Sequence, residues 1–239
     1  MQFYFDPISS NAYLAWVRVP ELARRYDLEV EPVPVLFAAL LEAHGQLGPA
    51  EVRPKADWMA RNNLRKATLL GVPLRPPVHH PFSPLLALRV CSLDLPAAEK
   101  EALVGAMFRA VWAERLHVSE PSVVASVASK LGLDGDDLVR RAQEPACKQR
   151  LRDRTQAAIE RGVFGVPTFE VCGELFFGFD DLPYLEMVLS GEDPLDAAKR
   201  GAEWATGPPV PSSMRRRFRE ELPPSWQRER DAAPKESSD

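Results

Sequence analysis

Cysteine is scarce in this 239-residue chain: Cys91, Cys147 and Cys172 are its only three, far apart, with no Cys-x-x-Cys pair and no zinc-ligand spacing. That pattern excludes a redox centre built on neighbouring thiols, and a sparse, odd count suits a reducing compartment. Long hydrophobic runs are missing too, since no stretch reaches the ~18 apolar residues of a membrane helix. The opening Met1-Gln2-Phe3-Tyr4-Phe5-Asp6 lacks the basic start and apolar stretch of a secretory leader. Charge of one sign is not in excess: the net charge of −4 argues against a general nucleic-acid binder, although Met214-Arg215-Arg216-Arg217-Phe218-Arg219 is locally basic. The expectation is a soluble, cytoplasmic protein with neither nucleic acid nor membrane as partner.

What is present is enough apolar residue, 45% of the chain, to fill one large core. Residues 2–6 read as a buried strand, 11–26 as an amphipathic helix that Pro20 is expected to kink or divide, and 28–33 as a second strand. This β-α-β opening implies a parallel pair with a right-handed crossover. Later, 168–171 and 175–177 flank Cys172-Gly173-Glu174 as an antiparallel hairpin, and 182–189 form a closing helix. Between the two halves lie helical patterns at 56–70, 84–92, 97–116, 120–131, 136–143 and 146–161, punctuated by Gly and Pro. The organisation is therefore α/β: a sheet domain from 1–50 and 160–200, an inserted all-helical domain over 51–159 that roofs the first strand-to-helix junction, and a tail over 201–239. Gly207-Pro208-Pro209 and the charged residues beyond predict disorder in that tail, with a short helical piece around 214–222.

Two segments carry chemistry. Phe3-Tyr4-Phe5-Asp6-Pro7-Ile8-Ser9-Ser10-Asn11 runs an apolar strand into a polar cluster that opens a helix, where unpaired N–H groups and the macrodipole favour an anion. An ordinary helix cap would read the same way, because Ser and Asn are both good caps. Gly162-Val163-Phe164-Gly165-Val166-Pro167-Thr168-Phe169 is a Gly-rich turn leading through Val-Pro into a strand, a place for a cis X-Pro bond beside an open strand edge.

On these segments the chain resembles the glutathione-dependent isomerases and transferases of DsbA-like, thioredoxin-derived fold, the family of 2-hydroxychromene-2-carboxylate isomerases and kappa-class glutathione transferases. The likeness covers residues 1–200. It implies a thioredoxin-like sheet domain, glutathione as cofactor, and a homodimer. Ser9 stands where dithiol relatives carry cysteine, which makes it the residue that holds the glutathione thiolate. Val166, before a cis Pro167, would offer its backbone to the extended tripeptide. Gly178-Phe179-Asp180-Asp181-Leu182 matches the family's Gly-x-Asp-Arg-Leu, putting Asp180 on the γ-glutamyl amine or, alternatively, at the cap of the next helix. Phe179 and Asp181 replace the usual Ser and Arg. Gly45-Gln46-Leu47-Gly48-Pro49 and Lys55 correspond to further glutathione contacts, with Gln46 supplying an amide and Lys55 pairing a carboxylate. Trp58, Asn62 and Arg65 follow a family pattern on the substrate side, and His80 belongs to a His-Pro-Phe segment that lines the pocket. His79 and His80 point apart on an extended chain without a third ligand at metal spacing, so no metal is expected.

The implied function is a glutathione-dependent isomerase acting on conjugated aromatic-degradation intermediates, a small-molecule substrate. The alternatives are a kappa-like transferase that consumes glutathione and a non-catalytic thioredoxin-fold binding or chaperone-like module, the latter suggested by Ser10 and Asn11 in place of the usual Pro-aromatic pair.

Overall fold

In the computed structural model, which describes residues 1–195, the first strand sends alternate side chains into two different cores. Phe3 and Phe5 of β1 (Gln2–Phe5) enter a large cluster with Trp16, Phe108 and Phe169, whereas Tyr4 joins Val33, Val35, Leu40, Ala158, Val163 and Val166. A strand turns neighbours to opposite faces, so a strand with consecutive apolar residues Phe3, Tyr4 and Phe5 belongs to a sheet covered on both sides. The rings meet at normal aromatic spacing: Phe3 lies 5.2 Å from Trp16 and 5.0 Å from Phe169, and Phe5 lies 5.5 Å from Phe108.

β1 leads through α1 (Ser10–Tyr26) to β2 (Glu31–Pro34), which pairs parallel to β1. β3 (Thr168–Val171) pairs antiparallel with β1, and β4 (Glu174–Phe177) antiparallel with β3, giving the order β2-β1-β3-β4. The second strand was expected over 28–33 and instead begins at Glu31. It holds two prolines because it is an edge. Glu31 and Val35 donate their amides to Met1 and Phe5 of the neighbouring chain segment, so the alternation turns Pro32 and Pro34, which have no N–H, to the unpaired side.

The remaining elements are α2 (Phe37–Ala43), a 3₁₀ turn (Pro49–Glu51), α3 (Arg53–Leu70), α4 (Leu85–Cys91), α5 (Ala97–Trp112), α6 (Pro121–Ser129), α7 (Gly135–Ala142), α8 (Pro145–Glu160) and α9 (Leu182–Ser190). α2 corrects the sequence reading, which assigned no element there: residues 33–43 are a nearly unbroken apolar run, and such a run does not separate strand from helix by its period. α1 is not divided at Pro20, whose ring faces solvent, the side on which a helix tolerates a missing hydrogen bond by curving. α5 stops at Trp112, short of the expected end at 116; the Trp112 carbonyl accepts the Arg75 amide and Arg115 takes a positive φ of 60°.

α3 to α8 thus occupy the span expected of an inserted helical segment, but their core is continuous with the sheet's. Phe108 of α5 packs against Phe5, Tyr13 and Trp16, and residues 1–193 form one compact unit. We propose the boundaries 1–50, 51–159 and 160–200 as a division of chain topology, of which residues up to 193 belong to that unit; residues 196–200 and the tail over 201–239 lie outside the described residues. α6 and α7 pack closely, and a Cβ on Gly135 would run into the carbonyl oxygen of Ala125.

Candidate active site

The chain leaving β1 turns through Asp6-Pro7-Ile8-Ser9, and the Asp6 side chain organises that turn. Asp6 is fully buried; its carboxyl oxygens accept the Ile8 amide at 2.9 Å and the Phe37 amide at 3.0 Å, while its backbone carbonyl accepts the Ser9 amide at 3.0 Å. Loss of water pushes the Asp6 pKa up to about 7, against the pull of the two amide bonds. Trp112 fixes the other side of the turn by donating its indole N–H to the Pro7 carbonyl at 2.9 Å. His80 Nε2 lies 3.4 Å from the Ile8 carbonyl, and because a carbonyl only accepts, that contact requires the tautomer with hydrogen on Nε2.

Ser9 is the N-cap of α1, with φ −93° and ψ 116°. Its Oγ accepts the Ala12 amide at 3.2 Å and donates to the Val166 carbonyl at 3.4 Å. The first contact is a proper cap bond; the second is at the outer limit, so the hydroxyl proton is weakly committed. Val166-Pro167 is cis, and the Pro167 carbonyl accepts the Gly178 amide at 2.8 Å, which ties this turn to the end of β4. No acidic side chain occupies the first turn of α1, so nothing there opposes an anion at the helix end.

Beside the first turn of α1 stands a charge that the sequence reading missed. Lys66 of α3 is 7% exposed, and its ammonium donates to Asp180 Oδ2 at 2.8 Å and to Asn11 Oδ1 at 3.3 Å, 4.9 Å from the Phe179 ring centroid. Three residues earlier, Asn63 donates its amide to Ser10 Oγ at 2.7 Å and leaves its own Oδ1 buried without a partner. Spacing was the available signal: Asn63, Lys66 and Ala67 share the buried face of α3, and a lysine at such a position is kept only when something balances its charge. The alternative placing Asp180 at a helix cap is corrected: the residue at the N-cap of α9 is Asp181, whose carboxylate accepts the Phe177 amide at 2.9 Å.

The structure brings Ser9, Val166 and Pro167 together and puts His80 on the same turn. Asp180 lies beside the first turn of α1 through Lys66 and Asn11. Lys55, Trp58, Asn62 and Arg65 fall on one stripe of α3 beside its buried face; Lys55, Trp58 and Arg65 face solvent, with Trp58 54% exposed. Gln46 is exposed in the loop after α2. Among the described residues, no hydrogen bond links Gln46 or any member of that stripe to Ser9, Val166 or Asp180.

A model described as the DSBA-like thioredoxin domain matches residues 1–190. The chain belongs to that family. Within it, the chain is similar to a 2-hydroxychromene-2-carboxylate isomerase of Sphingobium xenophagum, 34% identical over 193 residues covering 79% of this chain and 97% of the relative. It is also similar to a glutathione S-transferase kappa 1 of Homo sapiens, 24% identical over 208 residues covering 79% and 90%. A solved structure of a 2-hydroxychromene-2-carboxylate isomerase superposes with a TM-score of 0.74 at 32% identity, covering 80% of this chain and 94% of that one. The relatives are enzymes of the isomerase and glutathione transferase types. Among the described residues no helix is long and apolar enough to cross a membrane.

Proposed function

We propose that this chain is a glutathione-dependent isomerase of the 2-hydroxychromene-2-carboxylate isomerase type, acting as a cytoplasmic homodimer on conjugated intermediates of aromatic degradation. The observation that carries the reading is the state of Ser9: a capping serine whose single proton is spent on a 3.4 Å contact to Val166. A hydroxyl so placed can turn that proton toward an incoming sulfur while its lone pair keeps the Ala12 amide.

When bound, glutathione supplies the thiolate that adds reversibly to a conjugated carbon of the substrate. Ser9 and the N–H groups of the first α1 turn stabilise negative charge on that sulfur and lower its pKa. Val166 offers backbone to the extended tripeptide, and the Pro167 turn keeps that edge open. Asp180 faces the γ-glutamyl end, Gln46 supplies an amide and Lys55 pairs a glutathione carboxylate, and Trp58, Asn62, Arg65 and His80 line the substrate approach. Asp6 and Trp112 hold the Ser9 turn in register. These roles are electrostatic and orienting, the kind a preorganised site supplies without chemistry of its own.

Calorimetric titration with glutathione tests the cofactor, and a screen of conjugated aromatic pyruvates with glutathione tests the reaction. Turnover with glutathione recovered unchanged supports the isomerase. Glutathione consumed in stoichiometric amount would favour the kappa-like transferase, which the similarity to the human enzyme also supports, and no binding would leave a non-catalytic module.

A further inference from the structure

A cleft of about 580 Å³ opens between α1, α5 and α6, and none of its residues belongs to the site at Ser9. Pro20, Ala102, Ala106, Val127 and Leu131 give it an apolar lining, and its volume falls in the range of small-molecule sites, roughly 300–1,000 Å³. Trp16 borders the cleft with an unspent donor. The residue is only 8% exposed, yet among the described residues its indole N–H has no hydrogen-bond acceptor. A buried tryptophan ordinarily finds one, as Trp112 does in the Pro7 carbonyl. Gly105 keeps the nitrogen clear: a Cβ there would lie 3.0 Å from Nε1, so any larger residue would press against the donor. Because Trp16 and Gly105 both line the cleft, the open N–H is presented to whatever fills it.

The charges at the rim say what that occupant carries. Lys130 and Glu114 answer each other at 4.0 Å as an exposed pair. Arg109 also lines the cleft, one turn beyond Gly105 on α5, and makes no ion pair among the described residues. Glu101 lies about two turns back along the same helix, about 12 Å away by helical rise, where salt screens most of its field. We propose that this cleft binds an aromatic carboxylate, with its ring against the apolar lining and its carboxylate on Arg109 and the Trp16 N–H. A carboxylate accepts from both donors and matches the planar guanidinium fork, which a neutral acceptor does not. The small side chains Ala102 and Ala106, with Gly105 between them, leave a low surface along α5 that suits a flat ring.

Titration of isotopically labelled protein with 2-naphthoate tests this through the tryptophan indole N–H resonances. Trp16→Phe identifies the Trp16 signal by its disappearance, and the Trp112 signal reports separately on the turn before Ser9. In wild type the Trp16 signal should shift with saturable dependence on 2-naphthoate. Arg109→Gln, a change at an exposed position, should weaken that binding about ten-fold, the scale of one lost charge-assisted contact. The uncharged 2-naphthamide should bind wild type weaker by a similar factor, and decanoate, the same head group on a flexible chain, should also bind less tightly than 2-naphthoate. Gly105→Ala should abolish the shift by covering the nitrogen. The proposal is overturned if the Trp16 signal does not respond, if the Trp112 signal alone responds, or if Arg109→Gln binds as wild type does. Tighter binding of decanoate overturns the aromatic class. A Trp16 signal that moves with protein concentration alone gives the cleft to a second copy of the chain and overturns the proposal as well. The glutathione reading stands or falls on its own titration, since the two sites share no residue.

Discussion

The Asp6 carboxyl accepts the Phe37 amide at 3.0 Å, joining the end of β1 to the start of α2, and with its other oxygen on Ile8 it sets the approach to Ser9. A carboxyl that is fully buried without a cation titrates late, here at about 7, because burial penalises the charged form. The sign follows from proton counting. Between the ordinary carboxylate pKa near 4 and the folded value, the folded chain holds a proton that the unfolded chain has released, so stability falls as pH rises through that window and levels above it. Chemical denaturation from pH 4 to 8 should show this slope. Asp6→Asn should remove it and leave the variant about 1–3 kcal/mol less stable at the acid end, because an amide NH₂ faces a backbone N–H that the carboxyl oxygen satisfied. A slope unchanged in the variant would mean that another group titrates.

Much of this architecture is legible from residue order. The apolar run Phe3-Tyr4-Phe5, the hairpin around Cys172-Gly173 and the Ser-rich helix start are local signals, and the structure places β1, the hairpin and the cap where those signals fall. Residues whose role depends on distant partners were not legible in this way. Lys66 acquires meaning only from Asp180 and Asn11, which approach it from α9's entry loop and from α1. Asp6 is part of a quoted motif, but its importance comes from Phe37, whose helix an apolar run conceals. Strand edges show the same limit: nothing local says that Pro32 and Pro34 face the unpaired side, since that depends on which neighbour β1 chooses.

Gly135 tests the packing of the helical segment independently of any ligand. It opens α7 after the Asp134 cap, and a Cβ there would meet the Ala125 carbonyl oxygen, a backbone atom that cannot swing aside, and lie 2.7 Å from Ser129 Oγ. Gly135→Ala should therefore destabilise by about 1–3 kcal/mol, although Ala is the better helix former. Gly132→Ala is a less direct control, because its positive φ of 81° makes it strained for a different reason. A Gly135→Ala protein as stable as wild type would show that α6 and α7 do not approach so closely.

Asp180→Ala and Lys66→Met should differ in their effect on the fold. Removing Asp180 leaves a 7%-exposed lysine with only Asn11 and the Phe179 ring, a loss of about 1–3 kcal/mol once the exposure of Asp180 is allowed for. Replacing Lys66 by Met removes the charge and keeps the apolar stem, so stability should be unchanged or slightly higher. Thermal melts of both proteins without ligand decide it; equal destabilisation would show that the pair holds the fold together.

The last expectation separates catalysis from capping at Ser9, where both roles use the same oxygen. Loss of the bond to the Ala12 amide should destabilise Ser9→Ala by on the order of 1 kcal/mol, the usual cost of an N-cap. That effect alone would follow for any capping serine. If the hydroxyl also holds the glutathione sulfur, the pKa of the bound thiol should rise in Ser9→Ala and kcat should fall, while affinity changes far less because most contacts lie along the peptide. Ser9→Asn sharpens the comparison, since Asn retains the cap but cannot present a hydroxyl at the same point. Ultraviolet titration of the bound thiolate in the three proteins is the measurement. A shared thiol pKa with an earlier melt only in Ser9→Ala assigns Ser9 to the helix; a raised thiol pKa in both variants, with the fold kept in Ser9→Asn, assigns it to the sulfur.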